Sequence, residues 1–183
     1  MFYPQKEIPL KDGRTAVLRA PDPARDAAET VDFLQQACGE TEFLARYPEE
    51  RAFKPEAEVG YLQSVLDSPL QMMIVCTVDG KIAGNCQIVF MNTEKTRHRA
   101  AVMIGLLREY WNLGIGSAMF AEMIEAARAH GGIRQLELEM IEGNDRAAAL
   151  YRKMGFSVMA EIPDAFRFRD GSSHKAIYMR RLL

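Results

Sequence analysis

The chain has 183 residues, 48% of them hydrophobic, which suits one substantial core and leaves little length for two domains without a visible linker. Its 25 acidic and 23 basic side chains nearly balance, and no long basic run occurs, which argues against an electrostatic grip on nucleic acid or on an anionic membrane. The first residues lack a basic region followed by an apolar run, and no segment reaches about eighteen uninterrupted apolar residues, so a cytoplasmic location is expected.

In chain order, the spacing of apolar residues predicts a strand over 15–19, a helix over 22–38 and a second helix over 56–66. The intervening residues 40–50 (ETEFLARYPEE) mix four carboxylates with aromatics; they can shape the mouth of an amine site or serve as a solvated, packed loop. Segments 70–78 and 82–90 flank Asp79-Gly80-Lys81, a natural antiparallel hairpin, and a third strand follows over 98–106. A glycine-bearing turn and a long helix end at Gly131-Gly132, after which 133–140 alternates as a strand. A short helix capped by Asn144 or Asp145 stops at Gly155, and strands over 157–163 and 174–183 complete the chain. The expected architecture is α/β: a mixed, mostly antiparallel twisted sheet flanked by helices, in a single domain over 1–183.

Cys38, Cys76 and Cys86 form neither a metal quartet nor a redox pair, and His98, His130 and His174 are scattered, so buried thiols and no metal are expected. The richer signal is the turn. Gly114 and Gly116 allow a tight bend before a helix whose apolar positions are Ile115, Met119, Phe120, Met123, Ile124 and Ala127. The amides of Leu113, Gly114, Ile115, Gly116 and Ser117 are the unpaired donors of a starting helix, an arrangement suited to pyrophosphate. A dinucleotide-binding turn fits poorly, because Met119 stands where its third glycine belongs.

The second signal is EGNDRAAALYRKMGF, 142–156. Asn144 and Tyr151 lie seven residues apart and can line one groove, with Ala148 facing inward and Arg146 and Lys153 similarly spaced at the rim. Packing for Tyr151 and capping for Asn144 are the simpler duties of the same residues.

Together WNLGIG (111–116) and NDRAAALYRKMGF (144–156) closely resemble the GCN5-related N-acetyltransferase (GNAT) family, in its small bacterial branch. The loop begins with Trp111 instead of the usual arginine or glutamine, and Asn112 stands where a first glycine often lies; neither change removes a backbone donor. The resemblance implies acetyl-CoA as cofactor, with the pyrophosphate on Trp111, Asn112, Leu113, Gly114, Ile115, Gly116 and Ser117. It implies pantetheine along the backbone of Gly105, Leu106 and Leu107, with Asn144, Ala148, Tyr151 and Lys153 beside the cofactor and Tyr151 as general acid. The implied reaction is direct acetyl transfer to a primary amine.

The general base is open: Glu139 faces away from the apolar side of its strand and can reach an active-site water, and His98 is a weaker alternative. The acceptor is a small amine, polyamine, amino acid, or peptide or protein amine. A noncatalytic acyl-CoA sensor or peptide-binding module is the competing reading, and a homodimer formed through exposed sheet edges is a further expectation.

Overall fold

The computed structural model describes residues 3–50 and 54–183. Among these, strands β1 (Lys6–Pro9), β2 (Thr15–Arg19), β3 (Gln71–Val78), β4 (Lys81–Phe90), β5 (Arg99–Leu106), β6 (Gln135–Ile141), β7 (Ser157–Arg167) and β8 (Ser173–Leu182) form one sheet. Their order is β1-β2-β3-β4-β5-β6-β8-β7. Helices α1 (Pro23–Glu40), α2 (Pro55–Asp67), α3 (Ile115–His130) and α4 (Asp145–Lys153) complete the mixed α/β architecture expected from the sequence. No helix among the described residues is long and apolar enough to cross a membrane.

The β3–β4 hairpin turns on Asp79 (φ 51°) and Gly80 (φ 81°), two left-handed residues whose twist matches that of the flanking strands. β1 was not anticipated: Lys6–Pro9 has no alternating core residue, with three of its four side chains exposed, and exists because it pairs with β2. β7 also runs beyond the expected segment, through Asp164 (φ 52°) and a register shift between Ile162 and Phe166.

The parity of side chains across the sheet decides what faces the site. Met73, Gln87 and Met103 are paired across β3, β4 and β5, and Ala101 pairs with Glu137 in β6, so Glu137 and Glu139 share their face. That face is the one under α1 and α2, where Met73 packs with Ala27, Leu62 and Val65 and Gln87 accepts from the Tyr61 hydroxyl. The opposite parity supplies Leu136, Leu138 and Met140 to the main core with Met119, Phe120 and Met123 of α3 and Tyr151 of α4. Each fully buried side chain of this kind contributes about 1.5–3 kcal/mol.

All pairings are antiparallel except β5–β6, which is parallel and is bridged by α3. It lasts only three residue pairs, Arg99↔Gln135, Ala100↔Leu136 and Ala101↔Glu137, before the strands part. A bidentate Arg99–Glu137 pair sits at the last of these.

At the start of α1, Asp26 is 1% exposed and accepts from Arg19, Arg25 and the Asp22 amide. Burial by itself would raise its carboxyl, but these donors outweigh it and hold the group below its ordinary value. The stabilisation is therefore complete above the ordinary value of 3.8 and is lost as pH falls through the lower folded value. Arg19→Met, which strips the bidentate partner and leaves the carboxylate buried, is expected to destabilise by about 3 kcal/mol in urea unfolding at pH 7. The difference should shrink in melts run below pH 4.

Candidate active site

The open ends of β5 and β6 frame a gap. Leu107 N–H donates to Ala83 O at 3.0 Å and its carbonyl accepts from Tyr110 N–H, so both of its backbone groups are in use. Strand alternation then turns Ile104 and Leu106, and not Gly105 or Leu107, toward the gap. Of the three residues expected to offer backbone contacts, Leu106 turns its N–H toward the gap while its carbonyl accepts from Trp111 Nε1–H, Gly105 faces Asn85 of β4, and Leu107 is bonded to Ala83 and Tyr110. Ile104, not anticipated, shares the orientation of Leu106.

Beyond β5 a 3-10 turn, Arg108–Tyr110, leads into the glycine turn. Its conformation rests on two left-handed residues, Asn112 (φ 64°) and Gly114 (φ 104°). Asn112 is a residue type that tolerates this region without a glycine's freedom. Gly114 then caps α3 with no side-chain hydrogen bond. Among the described residues, the amides of residues 112–117 donate to no backbone carbonyl, and the first helical bond is Ala118 N–H to Gly114 O at 3.1 Å. A concave run of free N–H groups at the positive end of a 16-residue helix is an anion seat.

The seat is braced. Trp111 Nε1–H donates to Leu106 O at 2.9 Å, and the Arg146 guanidinium lies 3.5 Å over its ring. Lys11 N–H donates to Leu113 O at 3.2 Å, fastening the turn to the β1–β2 loop. A Cβ on Gly116 would come within 2.9 Å of Leu150 Cδ2, so that glycine is there for the contact between α3 and α4. Lys153 Nζ reaches Ser117 Oγ at 3.2 Å, which brings a cation to the rim of the seat.

Asn144 caps α4 by accepting from Ala147 N–H at 3.2 Å, which leaves its side-chain NH₂ free to donate. Ala148 is buried on the same helix, where its small size permits close approach. Tyr151 is 9% exposed, with its ring edge-on to Phe120 at 5.5 Å. Burial raises its phenol pKa, and the nearby Arg146 partly offsets that.

Glu139 is exposed at the first widening of the gap, on the α1–α2 face, with the Tyr178 hydroxyl bonded to its carboxylate. Leu138 and Met140, on either side of it, point into the core that holds Tyr151. The two candidate proton-transfer groups therefore belong to opposite faces of the parted strands. His98 is carried away from this arrangement: it precedes β5 at the paired end, where its carbonyl accepts from Arg134 N–H. Seven residues of strand, about 23 Å, separate it from Gly105.

Residues 40–50 pack over the same end. Glu40 accepts from Arg108 N–H at 2.6 Å, Glu50 from Tyr47 N–H at 2.8 Å, and Glu49 pairs with Arg169 of the β7–β8 turn. Glu50 thus serves the loop's own structure, Glu40 and Glu49 tie it to Arg108 and to the β7–β8 turn, and Glu42 lines a cleft.

An acyl-CoA fits these residues: free amides for a pyrophosphate, a strand edge for amides of a pantetheine chain, and a buried phenol at the end of the gap. Residues 36–156 match the family model described as the acetyltransferase (GNAT) family. The L-amino acid N-acetyltransferase AaaT of Escherichia coli is 27% identical over 120 residues, 66% of this chain and 74% of that protein. The solved acetyltransferase of the GNAT family from Streptococcus pneumoniae superposes with a TM-score of 0.85 at 30% identity, covering 92% of this chain and 99% of that one. The fold is also that of yncA from Salmonella typhimurium, solved with its cofactor acetyl-CoA, at a TM-score of 0.78 and 16% identity over 92% and 94% of the two chains. With a family match across more than half its length, the chain belongs to the GNAT family as an acetyl-CoA-dependent N-acetyltransferase.

Proposed function

We infer that residues 1–183 act as one domain that passes acetyl directly from acetyl-CoA to a primary amine, with Tyr151 as general acid and Glu139 as general base. The reading rests on one observation: where β5 and β6 part, Glu139 opens to the α1–α2 side and Tyr151 lies in the core behind the other side. An alkylammonium, with a pKa near ~10.4, must lose a proton before it attacks. Glu139 takes that proton through a water, and the amine nitrogen then bonds to the thioester carbon.

A backbone N–H of Leu106 facing the gap receives the developing oxyanion. The C–S bond breaks, and the leaving thiolate takes the phenol proton of Tyr151. Burial keeps that phenol protonated at neutral pH, as a general acid requires. Asn112 through the start of α3, with Lys153 at the rim, hold the pyrophosphate, and Ile104, Leu106 and Asn144 hold the pantetheine. The acceptor is an amine of a small molecule or polypeptide; the name of the Escherichia coli relative points to L-amino acids.

The cytoplasm, the compartment of acetyl-CoA and of reduced cysteines such as Cys76 and Cys86, suits this activity. A homodimer through β7 is supported by an edge strand with ten of its eleven residues exposed, Val158, Met159 and Ile162 among them. An acyl-CoA sensor would use Tyr151 for packing only.

Four outcomes test the reading. Gly114→Ala, forcing a Cβ into φ 104°, should cost about 1–2 kcal/mol and raise the KM for acetyl-CoA several-fold, measured by thiol release. Tyr151→Phe should lower kcat by about 10²–10⁴ with acetyl-CoA binding retained, and any alkaline limb owed to Tyr151 should lie above pH ~10. Glu139→Gln should lower kcat/KM for the amine with acetyl-CoA binding retained; full activity in both variants would remove these residues from the chemistry, and acetyl-CoA binding by the unaltered protein with no turnover would favour the sensor. Light scattering should give twice 20.6 kDa, reverting to 20.6 kDa in Ile162→Lys.

A further inference from the structure

Beside Glu139, at the splayed end of β6, lies a small open cleft between residues 42–47 and the end of β7. Ile141, two residues beyond Glu139 and on the same face of the strand, forms part of its floor. Phe166, Phe168 and Tyr47 give it aromatic walls, and Arg46, Arg167 and Glu42 supply its charges.

The charges around the cleft are not evenly matched. Arg169 pairs with Glu49, and Lys175 pairs with both Glu161 and Glu142. Among the described residues, Arg46 and Arg167 have no such ion-pair partner, so the cleft is lined by two arginines and one carboxylate, Glu42. Uncommitted guanidinium forks match the two oxygens of a carboxylate.

The cleft is also held open in advance. Arg169 N–H donates to the Tyr47 hydroxyl at 3.1 Å while its guanidinium covers the Tyr47 ring at 3.8 Å. Phe168 stacks on His174 at 4.0 Å, and the Ser172 hydroxyl meets His174 Nε2 at 2.9 Å. These contacts lock the β7–β8 turn to the loop after α1, so binding need not order either segment.

We propose that the acceptor is a small amino acid whose carboxylate is bound by Arg46 and Arg167 while its amine is presented to Glu139. The proposal rests on the transferase reading and on Glu139 marking the reacting end. About 7 Å of strand separates Glu139 from Ile141, a span that side chains reaching from both ends close to the length of a zwitterion. Phe166, Phe168 and Leu44 then border its side chain, which favours small apolar amino acids.

The test uses matched triplets: an L-amino acid, its carboxamide, and the amine left by decarboxylation, each assayed for CoA release with the intact protein. The expected result is a kcat/KM at least tenfold higher for the amino acid. In Arg46→Gln and in Arg167→Gln the ratio of amino acid to decarboxylated amine should fall about tenfold, through KM, while the KM for acetyl-CoA moves less than twofold. Both positions are exposed, and unchanged thermal melts would exclude misfolding. Calorimetric titration of the same triplets in the presence of CoA separates the two readings. Selective binding that both variants lose, with no turnover, would keep the carboxylate site and overturn the transferase reading. Turnover that ignores the carboxylate, or a loss in the variants shared equally by all three ligands, would overturn the inference itself.

Discussion

The parting of β5 from β6 after three residue pairs is the constraint on which the rest of the molecule depends. Parallel strands need a crossover, and here the crossover is α3, whose N-terminus must therefore begin beside the open end of β5. The unpaired strand edge and the unpaired helix amides are thus consequences of one topological choice. In a closed sheet the strand-edge groups would be spent on pairing; here they face the same gap as the first amides of α3, which no helix pairs internally.

Bracing explains why so open an arrangement holds its shape. Trp111 ties the turn back to Leu106, Leu150 closes over Gly116, and the pair Arg99–Glu137 secures the last point at which the two strands touch. Trp111 replaces a residue type that would donate from a flexible side chain, and in return supplies a rigid indole N–H and a platform for Arg146. The two faces of the gap consequently carry different chemistry: buried and apolar around Tyr151, charged and solvated around Glu139.

Local features were legible in the sequence where one residue's own physics decides the outcome. Asp79-Gly80 specified its hairpin turn, Gly114 its helix entry, and the apolar rhythm from Ile115 to Ala127 its buried face. Features that depend on partners distant in the chain were not. β1 exists only by pairing with β2, and the opposite backbone orientations of Leu106 and Leu107 follow from a bond to Ala83 that fixes strand parity. The cleft of Arg46 and Arg167 joins segments more than a hundred residues apart, and nothing in either segment alone distinguishes those arginines from solvated ones. His98 looked plausible only because spacing along a strand does not say which end of it opens.

The hydrogen bond from Lys11 to Leu113 links the outermost hairpin of the sheet to the anion seat. A terminal β-hairpin is ordinarily the first part of a sheet to fray, yet here its loop helps hold the carbonyl next to Gly114 in register. Loosening at one margin of the sheet would therefore be felt as disorder in the free amides at the start of α3. An anion held by those amides would in turn damp the breathing of the β1–β2 pair at the far edge of the sheet.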